Sequence, residues 1–121
     1  MTLQQRALQA WGLLAWAARN QQIVSYTMLE DLTGFPQQYW GKPLGMIHRY
    51  CTYNGFPPLN VIVVNQPDGI PGENYPKRIA DGGLEVFRDQ ARVFVFDWRK
   101  KVPSEDDPNL REWEPNAAPN A

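Results

Sequence analysis

One cysteine, one histidine and no long apolar run set the first limits on this chain of 121 residues. With Cys51 alone, no disulfide can form within the chain, which fits a reducing compartment. With His48 alone, a multi-histidine metal site is excluded, and no nucleophile–base pair can be assembled. No catalytic residue, metal or cofactor is therefore expected. No hydrophobic stretch approaches the length of a membrane span. The N-terminus, MTLQQRALQA, lacks the basic start and unbroken apolar stretch of a signal peptide. A cytoplasmic protein without a membrane partner is the expectation.

Charge of one sign is also locally missing. From Leu32 to Pro67 there is no Asp or Glu, and Lys42, His48 and Arg49 lie in that stretch. Overall the net charge is only −1, which by itself argues against a nucleic-acid binder. The distribution qualifies this. Residues 102–121 hold five acidic side chains against Arg111, whereas the first 101 residues hold eleven basic and eight acidic ones. What is plentiful is core material: 43% of residues are hydrophobic, and Trp, Tyr and Phe occur five times each. That suffices for one domain without staples.

Residues 3–19 predict a helix, because Leu3, Ala7, Ala10, Leu14 and Ala17 recur at helical spacing and Leu8, Trp11 and Ala15 broaden the face. Ile23 and Val24 form a short extended link. A second helix follows, capped either by Ser25 or by Thr27 with Glu30 as a capping box, and stopped by Gly34. Met28, Leu29 and Leu32 would face the core. A short turn is expected at 36–41, then a third helix from about Pro43 to Tyr53. There Leu44, Ile47 and Cys51 make a core face and Lys42, His48 and Arg49 lie off it. Asn54-Gly55 ends this helix. LNVIVVN at 59–65 predicts a strand, Gln66-Pro-Asp-Gly69 a turn, and residues 83–93 a further helix, with FRDQARVFVF partly strand-like. Trp98 should pack back onto the body. The end of the chain should be ordered only where Leu110 or Trp113 docks.

This order of elements is that of an α+β winged helix, a helix-turn-helix plus wing, spanning residues 1–101 with a C-terminal helical extension. Residues 102–121 are an acidic, Pro- and Asn-rich tail. In such a fold the third helix enters the major groove of double-stranded DNA and the wing touches the backbone.

Particular segments sharpen the comparison. VSYTMLEDL at 24–32, GFP at 34–36, KPLGMI at 42–47, NGFPPLNVIVV at 54–64 and DGIPGENY at 68–75 follow one another in order. Over these fifty or so residues the chain resembles the DNA-binding domain of the alkylguanine-DNA alkyltransferases and the alkyltransferase-like proteins. That resemblance implies DNA binding by a regulator or targeting component of a bacterial or phage assembly. It does not imply the family's chemistry. Counted back from Val63-Val64, Asn60 stands nearest the place of the family's acceptor cysteine and Val61 nearest its activating histidine. Lys42 falls nearest the intercalating arginine, and a lysine lacks the planar fork that fills a vacated base position.

The candidate DNA contacts are therefore Tyr39, Trp40, Lys42, His48, Arg49, Lys77 and Arg78. Against this, Lys42, His48 and Arg49 also read as a solvated helix face, and Lys77 and Arg78 as ordinary surface charge. Tyr39 and Trp40 also read as half core and half surface. Asn60 is either the remnant of a ligand pocket or a strand-start residue bonded to backbone. Cys51 reads as a small buried hydrophobe. Asp68-Gly69 and Gly72 are turn chemistry, since a phosphate loop would add Lys and Ser or Thr. The basic run Arg99-Lys100-Lys101 is either a nucleic-acid contact or simple solvation. The rival function is a protein–protein interaction adaptor using the same face, in which the aromatics would anchor the partner.

Overall fold

A computed structural model describes residues 1–112. They form a small, helix-rich mixed domain with four α-helices and a two-stranded parallel sheet. The helices are α1 (Leu3–Arg19), α2 (Tyr26–Thr33), α3 (Gly41–Asn54) and α4 (Leu84–Val95). The strands are β1 (Val24–Ser25) and β2 (Val63–Val64), paired Val24 to Val63 and Ser25 to Val64.

The first helix begins where Thr2 and Gln5 form a capping box, each side chain bonding the other's backbone N–H at 3.1 and 2.9 Å. It buries Ala7, Ala10, Trp11, Leu14, Ala17 and Ala18, the face that its spacing predicts. Small residues on that face let α1 lie close against α3, its most extensive partner. At α2 the competition between caps is settled for Ser25, whose Oγ accepts from the Met28 N–H at 3.0 Å. Gly34 closes the helix at φ 75°, a left-handed position where a side chain is strained. Only Tyr26 and Leu29 of α2 are buried. Met28 and Leu32 are exposed, contrary to expectation, because so short a helix touches the body along a single i, i+3 line.

A 3₁₀ turn at Gln37–Tyr39 leads into α3, and Gly55 ends it at φ 71°. Leu44, Ile47 and Cys51 are buried as expected, but so are Pro43, Gly45, Met46, Arg49 and Tyr50. The helix is enclosed on nearly every side through its middle, and its two ends are what it exposes. Next comes the largest departure from the sequence reading. LNVIVVN is not a strand throughout: Leu59–Ile62 is a 3₁₀ turn and only Val63–Val64 is extended. All six residues from Leu59 to Val64 are buried. A wholly buried apolar run has no alternation to distinguish strand from turn. The loop beyond is hairpin-like, with Val64 bridging Pro71 antiparallel and the Asn65 N–H donating to the Ile70 carbonyl at 2.8 Å.

FRDQARVFVF is helical as far as Val95. After it, Trp98 folds back as expected. Its indole donates to the Val93 carbonyl at 2.8 Å and its ring meets Trp11 edge-on at 5.6 Å. Leu110 is buried in the same core. Trp113 lies outside the described residues. No helix among them is long and apolar enough to cross a membrane.

Candidate functional site

Two concavities flank the segment Glu73–Tyr75. The first is a groove of about 580 Å³ at the N-terminal end of α3, lined by Leu3, Phe35, Tyr39, Gly41, Lys42, Gly45 and Asn74, with Glu73 and Glu112 among its acidic neighbours. The second is a cleft of about 860 Å³ between the C-terminal half of α3 and α4. His48, Tyr75, Lys77, Asp89 and Arg92 bring polar groups to it, and Phe56, Pro57, Pro58 and Phe96 form apolar walls.

The groove owes its openness to the way α3 starts. The cap residue, Trp40, offers no side-chain hydrogen bond, the first turn holds no acidic residue, and nothing stands beside the Cα atom of Gly41. This uncapped start leaves the backbone N–H groups of Gly41 and Lys42, Pro43 having none, and the positive end of the helix dipole to whatever approaches. Lys42 adds a full charge there, and Tyr39 is exposed beside it. Among the described residues Lys42 pairs with the Glu112 carboxylate at 4.0 Å, and Glu73 lines the same groove.

Between groove and cleft runs a buried chain of hydrogen bonds. The Asn60 amide nitrogen donates to the Asn74 side-chain oxygen at 2.9 Å and to its backbone carbonyl at 3.3 Å. With its nitrogen so committed, Asn60 turns its oxygen to His48 Nδ1 at 3.3 Å. An amide oxygen only accepts, so this bond is made when Nδ1 carries the proton. Asn74 in turn donates to the Tyr26 hydroxyl at 2.8 Å. Gly72 is required here, because a Cβ would collide with that hydroxyl. Burial holds the His48 pKa below its ordinary value, and the bond to Asn60 opposes this in part. On the cleft's far wall the Tyr75 hydroxyl donates to Asp89 at 2.6 Å, and Arg92 donates to the same carboxylate at 2.8 Å. Burial, then the bond to Asp89, pushes the Tyr75 pKa up.

The predicted contacts are thus divided. Tyr39 and Lys42 meet at the groove, and His48 and Lys77 meet at the cleft. Trp40 and Arg49 belong to neither. Trp40 is wholly enclosed, donating to the Phe35 carbonyl at 3.2 Å and meeting that ring edge-on at 5.1 Å. Arg49 is 3% exposed, so its place on a free helix face is corrected to the interior. The reason is that burial on α3 extends beyond the apolar face of Leu44, Ile47 and Cys51 to Pro43, Gly45, Met46, Arg49 and Tyr50. Arg78 is half-buried and straps its loop down, Nε donating to the Pro71 carbonyl at 2.9 Å. Lys77 is exposed, with Glu85 at 3.9 Å.

Asn60 is fully buried and bonded to both side chain and backbone of Asn74. It resolves as a structural junction beside the cleft and not as the start of a strand. The sequence reading missed Tyr26, Asn74 and Tyr75. Their only signal was membership of VSYTMLEDL and DGIPGENY, since nothing in their spacing marks a hydrogen-bonded chain. Among the described residues no group of His, Cys, Asp and Glu could hold a metal ion. Comparison of the chain with protein-family descriptions, with curated proteins and with solved structures finds no match.

Proposed function

We propose that this chain is a non-catalytic, winged-helix-type DNA-binding module that serves as a regulator or targeting component of a larger bacterial or phage assembly. The observation that carries the reading is the start of α3. Lys42 stands there on an uncapped, acid-free first turn that opens into a groove with Tyr39. Helix N–H groups, the helix dipole and a lysine together make a receptor for a phosphate. The hairpin-like loop at 65–70 plays the part of the wing. On α3 contact is confined to its first turn, because the middle of the helix is enclosed, and the exposed Lys77 beside the loop supplies a second contact.

The test is a gel-shift titration of double-stranded DNA at two salt concentrations. Removing one lysine–phosphate pair lowers the slope of log affinity against log salt by about 0.9. Lys42→Ala with Lys77→Ala is expected to weaken binding and flatten that slope by nearly two units, with the fold intact. Arg49, being interior, is the wrong partner for such a variant. No shift at micromolar protein in low salt removes the DNA reading.

A protein–protein interaction adaptor is the second reading, favoured by the exposed Tyr39 ring on the same groove. It predicts no DNA binding even at low salt, and loss of a protein complex on Tyr39→Ala.

Alkyl transfer is not expected. Cys51 lies within α3, fully buried, and burial pushes its thiol pKa up to about 12. Thiolate, the nucleophilic form, is then scarce at neutral pH. Asn60 has no nucleophilic sulfur to offer in its place. Incubation with labelled alkylguanine DNA should leave the protein unlabelled, and stoichiometric label on Cys51 would reverse this conclusion.

A further inference from the structure

The outer side of α4 carries apolar residues at every turn. Leu84, Phe87, Ala91 and Phe94 are separated by three, four and three residues, the repeat of a helix that packs against a second helix. Phe87 is 75% exposed, and Val95 at the edge of this seam 82%. Leu84 and Ala91 are also exposed, and Phe94 is half-buried, packed in part against the core and closing the end of the seam. The inner side of the same helix is already engaged with the core through Val86, Asp89 and Val93. So α4 has two apolar faces, and one of them meets water.

We infer that this outer face joins two copies of the chain, their α4 helices antiparallel about a two-fold axis at position 89. Size complementarity selects a second copy. In an antiparallel pair each repeat position meets the other repeat position across the axis. Phe87 then lies over Ala91 of the partner subunit, and the symmetry repeats the match. Leu84 likewise meets Phe94 of the partner subunit. The large ring facing a methyl group is supplied by the stripe itself, with no other surface needed.

Charge agrees. On α4, Glu85 and Asp89 are balanced by Arg88 and Arg92, and the two pairs close at 3.2 and 2.8 Å. Two copies therefore approach without net charge, whereas a strongly acidic or basic partner would find no complement. Area agrees as well. Two such stripes with their flanking arginine stems hide on the order of 1,000 Å², the lower end for a specific interface. An interface at that lower end makes a weak, reversible pair.

The test is analytical ultracentrifugation of the full chain from low to high micromolar concentration, with far-UV circular dichroism to confirm folding. Wild type is expected to dimerise reversibly. Phe87→Ala and Ala91→Phe should each weaken the dimer by about tenfold or more. Combining the two should restore it to within about threefold, because the ring and the methyl group merely exchange places across the axis. Phe87 is exposed in the single chain, so its loss leaves the fold standing. A chain monomeric at every concentration, or a dimer indifferent to both single variants, would overturn the proposal. Failure of the combined variant to recover would overturn the antiparallel register on which it rests.

Discussion

Replacing Trp40 with alanine is expected to destabilise the domain by about 3–5 kcal/mol in equilibrium urea unfolding, the range for removing a large packed aromatic. Position and neighbours both contribute. The indole is fully enclosed, its ring meets Phe35 edge-on, and its N–H satisfies the Phe35 carbonyl. The Arg6 guanidinium also lies over the Phe35 ring, 4.3 Å from its centre. Truncation opens a cavity at the cap of α3 and leaves a carbonyl without its donor. Small domains are stable by only about 5–15 kcal/mol, so a substantial part of the total goes. A loss below about 1 kcal/mol would mean that the ring is not packed as described. Tyr39→Ala, one residue earlier, should change stability little because Tyr39 is exposed. The contrast affects how binding data are read. Weakened DNA binding in a Trp40 variant reports a damaged α3, whereas weakened binding in a Tyr39 or Lys42 variant reports the groove.

The sequence was most legible where one physical cue governed. Periodicity placed α1 at residues 3–19 because one face alone is buried there. Gly34 and Gly55 marked helix ends because each takes the left-handed conformation that favours glycine. Leu44, Ile47 and Cys51 were recognisable as core because they recur at helical spacing. Arg49 was not, because reading one apolar face on α3 implies a polar opposite face. In the folded domain other elements enclose that side too. LNVIVVN failed on a related ground: residues buried on all sides carry no record of backbone geometry.

The site was legible only in part. Lys42 and Tyr39 emerged from the acid-free stretch and from the helix start. The links from His48 through Asn60 and Asn74 to Tyr26 could not emerge, because they join residues up to 48 positions apart in the chain. Folding, and not spacing, brings those side chains together.

The acidic tail has two separable effects on this site. Leu110 is buried with the main core, and Pro103 is buried as well. Leu110→Ala should therefore cost about 2–5 kcal/mol of stability, and truncation at Val102 should cost at least as much. Neither change can cleanly report on binding. Two residues beyond Leu110, Glu112 places its carboxylate 4.0 Å from the Lys42 ammonium, with the two side chains 54% and 70% exposed. A pair so open to water is worth at most about 1 kcal/mol, and salt screens it further. Glu112→Gln should consequently leave the unfolding midpoint where it is. Its effect should fall on DNA, because the carboxylate occupies the position proposed for a phosphate. Removing that charge is expected to tighten binding about two- to fivefold at low salt. The gain should fade as ionic strength rises and should vanish in the Lys42→Ala background. Equal affinity of Glu112→Gln and wild type at low salt would show that the tail does not guard the groove. Tighter binding that persisted without Lys42 would place the effect of Glu112 elsewhere on the surface.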